Sequence, residues 1–391
     1  MAYVQGRIVH DADSHIMEPP GFYLQYMDDE LAARHRRVVR PSGDRRTAAY
    51  FEGVMERQKD AEIRSRDEGE IMLRKGYEAP GAFLKEDRSR ALDHLGFASQ
   101  LVFTTSLLGP LAIAEHGDDV DAAYRLADAH NRGMLDFCSV DPRLLPVAYV
   151  PIADIERAVA FAAGAIDSGA AALMIASHCP KHHSPSHIGF DPMWAVAEEA
   201  RIPIVFHVGG GRPMSETYKA NGLPPVKDFT GGDGNFTSVS YMAIPDAPMQ
   251  TLATMILDGI MERFPELRFG VIEQGASWVP GWMRSMDSAA EAFGKNEERL
   301  HELSLRPSEY VQRQVRVTPY PHEPAGWVIQ QAGPTVCLFS SDFPHTEGGR
   351  NPLKRFETST ADCSPEEIEA FYRTNFEDLM GSALSRVPAP A

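Results

Sequence analysis

Near the start of the chain, His10-Asp11-Ala12-Asp13-Ser14-His15 gathers carboxylates and imidazoles, the side chains that bind metals or move protons. Ile8 and Val9 lead into it, and Met17-Glu18-Pro19-Pro20 breaks it off, the signature of a buried strand delivering its last residues into a site. Alternate residues of a strand share a face, so Asp11, Asp13 and His15 are expected to point the same way. Two carboxylates and an imidazole aimed at one point in a core are costly unless a cation holds them. Further groups of the same kind follow later apolar runs: Ser177-His178, Phe206-His207, Glu273-Gln274-Gly275 and Ser341-Asp342-Phe343-Pro344-His345.

The elements that must position these residues alternate along the chain. After the opening strand, residues 21–90 are charged and irregular, with a hairpin expected at Arg36–Tyr50 around Pro41-Ser42-Gly43-Asp44 and helical composition from Tyr50 to Arg74. This stretch reads as a lid inserted after the first strand and shaping substrate choice. Strands are then expected at Ser99–Thr104, Leu144–Val150, Ala171–Ala176, Ile202–His207, Leu267–Glu273, Gln314–Thr318 and Thr335–Ser341. Helices are expected between them, at Asp87–Leu95, Asp118–Phe137, Asp154–Ser168, Asp191–Ala200, Met249–Arg263, Ser277–Phe293 and Pro324–Gln331, with Pro365–Met380 closing the chain. Strands that are apolar throughout are covered on both faces. Eight such units indicate a single α/β domain over 1–391, a (β/α)8 TIM barrel, with 21–90 as an insertion within it. No phosphate-binding glycine loop follows the first strand, which argues against a dinucleotide fold. In a barrel the chemistry sits at the C-terminal strand ends, and five of these ends carry the groups named above.

Composition narrows the classes. The 391 residues are 43% hydrophobic and 24% charged, as in soluble globular proteins. A formal net charge of -17 with no basic run argues against nucleic acid or an anionic membrane as partner. No window reaches the roughly 20 apolar residues that span a bilayer, and the opening MAYVQGRIVHD lacks the pattern of a signal peptide. Cys138, Cys179, Cys337 and Cys363 are scattered, with no disulfide or zinc-ribbon spacing. A cytoplasmic location and a small-molecule substrate are expected.

Asp-Ala-Asp-Ser-His followed by Met-Glu-Pro-Pro resembles the opening of the amidohydrolase superfamily, in the branch related to aminocarboxymuconate-semialdehyde decarboxylase. The same holds for Ile-Pro-Ile-Val-Phe-His at 202–207, Arg-Phe-Pro-Glu-Leu-Arg at 263–268, Glu-Gln-Gly-Ala-Ser-Trp at 273–278 and Ser-Ser-Asp-Phe-Pro-His at 340–345. The resemblance runs from about residue 8 to 380, the insertion excepted. It implies that Asp13 and His15 are the metal pair of strand one and His207 the ligand of strand five. Asp342 would be the strand-eight residue that contacts metal and accepts a proton from the attacking water. It also implies a homo-oligomer. Two positions depart from the family pattern: Asp13 stands where a His is common, and Glu273 where the decarboxylases use a His. The resulting set, Asp13, His15, His207, Glu273 and Asp342, is rich in oxygen donors. It suits Mn or Fe at least as well as Zn and could bridge two divalent ions.

The run His178-Cys179-Pro180-Lys181-His182-His183-Ser184-Pro185-Ser186-His187 matches no standard zinc spacing. His178, directly after its strand, is expected to face the pocket as a catalytic residue, and the other three histidines to be loop residues. Trp278 and Trp282 are expected in the core. Three readings of function follow. The first is a metal-dependent hydrolase or non-oxidative C–C lyase on a small carboxylated or carbonyl-bearing metabolite, with Asp342 transferring the proton and Glu273 a ligand or second acid/base. The second is a non-haem di-iron monooxygenase on the same barrel. The third is a barrel that binds a ligand without turnover.

Overall fold

A computed structural model describes residues 2–38, 48–211, 214–224 and 237–387. Seven parallel strands pair in chain order: β1 His10–His15, β2 Ser99–Phe103, β3 Leu144–Tyr149, β4 Ala172–Met174, β5 Ile204–His207, β6 Phe269–Ile272 and β7 Val315–Val317. Nearly every strand residue is buried, because helices cover the outer face while side chains fill the inner one.

The eighth strand expected at Thr335–Ser341 forms no regular ladder, yet its backbone closes the barrel. On one side Val317 donates to the Val336 carbonyl (2.7 Å) and Leu338 to that of Val317 (3.1 Å). On the other, Ala12 donates to Phe339 (3.1 Å), Asp342 to Asp13 (2.9 Å) and His15 to Phe343 (2.7 Å). The sheet is thus a closed (β/α)8 barrel whose last staves meet edge to edge, leaving no open strand edge there.

The expected helices form with local adjustments. Asp154 caps the helix Ile155–Asp167, its carboxylate accepting from the Arg157 amide at 2.9 Å, which satisfies a donor the helix cannot satisfy itself. The helix expected at 249–263 is two, Asp246–Leu257 and Ile260–Arg263, because Gly259 turns left-handed at φ 79°. A π-helical turn at Ala370–Thr374 interrupts the closing helix. Leu108–Glu115, Pro307–Gln314 and Pro352–Ser359 are helices that the sequence pattern does not announce. Leu108–Glu115 is almost wholly apolar, so it carries no polar stripe for periodicity to detect.

Of the hairpin expected at Arg36–Tyr50, residues 39–47 with the turn lie outside the described residues. Its flanks are helical instead, within Asp29–Val38 and Ala48–Gln58. Farther along, residues 76–88 lie against the end of β1. Met17 donates to Ala82 (2.8 Å), Gly76 to Pro344 (2.8 Å), the Tyr77 hydroxyl to the Glu18 carbonyl (2.8 Å) and Arg88 to the His15 carbonyl (3.2 Å). No helix among the described residues is long and apolar enough to cross a membrane.

Candidate metal centre

Strand β1 does not keep its alternation. Asp11 pairs with Gln100 but Ser14 with Val102, so three steps on β1 match two on β2 and a bulge lies between. The extra residue reverses the facing of what precedes it. Asp11 is therefore turned away from Asp13 and His15, contrary to the simple strand reading. It accepts from Gln100 Nε2 (2.8 Å), the Ser341 amide (2.8 Å) and the Ser341 hydroxyl (2.7 Å). Asp11 fastens the closing segment to β1. Burial raises its carboxyl pKa to about 7 against those hydrogen bonds.

Asp13 and His15 face the barrel interior with His207. His15 Nε2 lies 3.2 Å from Asp13 Oδ1 and 3.6 Å from Asp342 Oδ1. His207 Nε2 lies 3.3 Å from Asp13 Oδ1 and 3.5 Å from Glu273 Oε2. Both imidazoles are oriented by their other nitrogen. Nδ1 of His15 meets the Thr104 carbonyl at 3.0 Å, and Nδ1 of His207 meets that of Val208 at 3.0 Å. A carbonyl only accepts, so Nδ1 carries the proton and Nε2 offers its lone pair inward, the arrangement of a metal-ligating histidine.

Glu273 and Asp342 arrive differently. Both are non-glycine residues in the left-handed region, at φ 53° and 51°, a conformation that costs on the order of 1–3 kcal/mol and persists only where surroundings enforce it. The Glu273 amide donates to Thr318 Oγ1 (2.8 Å) and its carbonyl accepts from the Tyr320 hydroxyl (2.7 Å). Buried Glu323 holds the next turn, accepting from the amides of Ala276 (3.0 Å), Ser277 (2.9 Å) and Tyr320 (2.7 Å). The Asp342 amide is pinned to Asp13, as described, and Gly348 crosses so closely that a Cβ there would sit 2.0 Å from the Ser341 carbonyl oxygen.

Ligand atoms of Asp13, His15, His207 and Glu273 all lie within 4.8 Å of one another, as do those of His15, Asp342 and His345. Several of these buried atoms lack a hydrogen-bond partner: Asp13 Oδ2, His15 Nε2 and both oxygens of Asp342. Native interiors rarely leave such atoms orphaned, and a divalent cation is the group this donor set fits. Its electrostatics agree. Burial pushes the Asp13 carboxyl up, but the imidazoles of His15 and His207 outweigh it and hold it well below the usual carboxylate range. Burial and the charges of Asp342 and Asp13 push Glu273 well above that range. Burial, with His345 nearby, lowers His15 to about 4.

Of the five residues expected as ligands, Asp13, His15, His207 and Glu273 thus form one group, while Asp342 falls in a second with His345, the two groups sharing His15. The sequence showed His345 only as the end of a motif; its spacing of three from Asp342 was the available signal. His178 is not in the cluster. It lines an adjacent cavity of about 830 Å³ with Met214, Tyr218, Asp246 and Gln250, its ring stacked on His116 at 5.0 Å. His182 and His187 are exposed loop residues, and His183 is half-buried. Trp282 is buried, while Trp278 is half-buried with its indole donating to the Gly275 carbonyl at 2.9 Å.

Lys75 also bears on this site. Its Nζ is buried without a hydrogen-bond partner. Burial lowers its pKa to about 8, with the charges of Asp342, Glu347 and Asp11 acting in the opposite direction.

Comparison with known proteins agrees with this architecture. An amidohydrolase of Mycobacterium avium subsp. paratuberculosis superposes with a TM-score of 0.71 at 19% identity, covering 97% of this chain and 99% of that one. The 5-carboxyvanillate decarboxylase of Novosphingobium aromaticivorans, complexed with manganese and 4-hydroxy-3-methoxy-5-nitrobenzoic acid, gives 0.61 at 20% identity, covering 96% of each chain. The 2,6-dihydroxybenzoate decarboxylase of Rhizobium gives 0.59 at 16% identity, covering 96% and 99%. No curated protein sequence matches the chain. The amidohydrolase family model, however, matches residues 11–379, a span that opens just before the donors of β1 and closes beyond Asp342. By that match the chain belongs to the amidohydrolase family of metal-dependent enzymes.

Proposed function

We propose that this enzyme catalyses the non-oxidative decarboxylation, or the hydrolysis, of a small carboxylated substrate at the barrel mouth. The observation that carries the reading is the pair of adjoining groups of buried donors that share His15, several of whose atoms have no hydrogen-bond partner. Asp13, His15, His207 and Glu273 would hold a divalent ion, manganese being the ion in the similar decarboxylase structure. Such an ion polarises a substrate oxygen or brings the pKa of a bound water down to about 7.

The chain's own residues supply the rest. Asp342, with two unpartnered oxygens, moves the proton. In decarboxylation it delivers a proton to the carbon whose electron pair is left behind when carbon dioxide departs. In hydrolysis it takes a proton from the attacking water. Lys75, contributed by the insertion, meets an anionic group of the substrate, since a buried ammonium without a partner is costly until an anion pairs with it. The insertion then acts as the lid that reads the substrate.

The test is turnover of a panel of hydroxylated benzoates by manganese-loaded protein, followed as released carbon dioxide. Loss of release in Lys75→Met, with metal content unchanged, supports the reading. No release from any carboxylate, together with substrate-dependent oxygen uptake by iron-loaded protein, would replace it with the monooxygenase. That second reading draws on the three carboxylates of the set, which iron accepts as readily as manganese.

A further inference from the structure

His178 takes no part in the metal centre and instead lines the cavity of about 830 Å³ beside it. Sites for small molecules run to roughly 300–1,000 Å³, so this space takes a ligand body of its own. Its walls come mainly from the loops after β4 and β5 and from the helix Asp246–Leu257, on the side of the barrel that carries the metal donors. Hydrogen bonds join it to the centre. Gln274, next to Glu273, donates to Ser177 Oγ at 3.1 Å, and Thr251 of the cavity wall donates to the Ser177 carbonyl at 2.7 Å. Beyond His207 the loop runs toward the wall residue Met214 through Gly209, Gly210 and Gly211, which bear no side chains. Gly210 lies so flat on the end of β4 that a Cβ there would be 3.3 Å from the Ser177 amide nitrogen, and its carbonyl accepts from the His178 amide at 3.2 Å.

Most hydroxyl hydrogens of this wall are already spent. Thr251 donates to Ser177, and Thr254 donates to the Gln250 carbonyl at 2.9 Å. Ser186 Oγ donates to Asp258, so in its contact with Ser184 Oγ at 2.6 Å the donor is Ser184. A hydroxyl has one hydrogen and two lone pairs, so toward a ligand Ser184, Thr251 and Thr254 can only accept. Asp246, the one charged side chain among the described lining residues, accepts as well, and Gln250 offers both kinds of group. With the balance on the accepting side, the wall binds groups that donate. It repels a carboxylate or phosphate, which brings acceptors and a negative charge of its own. The entrance is apolar: Tyr218 lines the cavity yet is 73% exposed, and Met242, beside the wall residue Ala243, is 72% exposed. Large apolar side chains exposed around a cavity are the mark of a ligand-binding rim.

We propose that this cavity holds the far end of the substrate, an arm that carries hydroxyl or amino hydrogens and no negative charge. Calling that ligand the substrate rests on the proposed function; the site and the chemistry it selects do not. The two ends of the substrate then meet opposite surroundings, the carboxylate facing the cation and Lys75, the arm facing acceptors. Dicarboxylates long enough to reach the cavity are thereby rejected. His178 is a wall of this subsite, held from the neighbouring helix by His116, whose ring nitrogens lie 2.8 Å from the Ala112 carbonyl and 3.0 Å from that of Cys179.

The experiment is equilibrium dialysis of the full-length protein, purified with manganese, against two probes that differ in one group. One is 4-nitrophenyl β-D-glucoside, which presents hydroxyls; the other is 4-nitrophenyl β-D-glucuronide, with a carboxylate in place of the hydroxymethyl group. Binding in the cavity is the part lost in Gln250→Trp, which fills the space from an exposed position. The wild type is expected to bind the glucoside saturably and at least tenfold more tightly than Gln250→Trp does, with the variant's circular dichroism and manganese content unchanged. The glucuronide should bind there at least tenfold more weakly than the glucoside. No saturable glucoside binding, or equal binding by the wild type and Gln250→Trp, would overturn the site. Glucuronide binding as tight as that of the glucoside, and equally lost in Gln250→Trp, would overturn the selection against negative charge. If Gln250→Trp does not fold, Ser215→Trp fills the same cavity from the loop after β5 and takes its place. Failure of the proposed function reads differently. Glucoside bound as expected, with no carbon dioxide from any benzoate, leaves the site standing and removes the reaction; carbon dioxide release without glucoside binding does the reverse.

Discussion

The two halves of the barrel mouth are built on opposite principles. At β1 and β5 the donors Asp13, His15 and His207 lie within strands of the sheet, and each imidazole is aimed by a backbone carbonyl. At β6 and the closing segment, Glu273 and Asp342 sit on left-handed backbone, held by side chains and turns from neighbouring loops. The ordered half acts as a fixed template for a cation. The strained half carries the carboxylates whose proton affinity matters, where a small shift of the loop changes the chemistry without dismantling the site.

Removing the working group of the strained half should have the largest effect. Asp342→Asn is expected to lower kcat by roughly 10²–10⁴, the scale of lost proton transfer, while the ion held by Asp13, His15, His207 and Glu273 stays. Full turnover in that variant would dissolve the distinction between the halves. In the ordered half, Asp13→Asn should lose bound metal, whereas Asp11→Asn, two residues away, should keep it. The latter is expected to cost about 1–3 kcal/mol of stability through its buried partners, read as urea midpoints beside metal content. Equal metal loss in both variants would mean that the bulge does not turn Asp11 away.

A smaller change probes the support of the strained half. Thr318→Val removes the acceptor of the Glu273 amide and should cost about 1–2 kcal/mol, with metal affinity reduced more than in a matched substitution near β5. Calorimetry with manganese measures both.

The halves also answer pH differently. Glu273 is held well above the ordinary carboxylate range by burial and by Asp342 and Asp13, so a cation must expel its proton and affinity falls as pH is lowered. Glu273→Gln should flatten that dependence. In metal-free protein, burial lowers His15, His10 and His130 to about 4. The unfolded chain takes up these protons from about pH 6.5 downward. Each group therefore contributes stability that is present above about 6.5 and lost as pH falls through 4. Melting temperatures with chelator present should decline through that window, and least in His130→Asn.

Much of this was legible in the chain itself. Alternating apolar runs and amphipathic helices specify the barrel, and motifs after the apolar runs specify which residues reach its mouth, because both are local patterns that burial enforces residue by residue. Tertiary structure decided the rest. The bulge that removes Asp11 from the site depends on register with β2, which lies 88 residues on. The left-handed backbone of Glu273 and Asp342 is unfavourable in isolation and exists only because Thr318, Tyr320, Gly348 and β1 hold it. His345 is held by Thr105, 240 residues away, and the ammonium of Lys75 is buried by a segment whose sequence reads as an irregular insertion. Local pattern determines which side chains arrive at the mouth; register and long-range hydrogen bonds determine where each one points and whether it carries a proton.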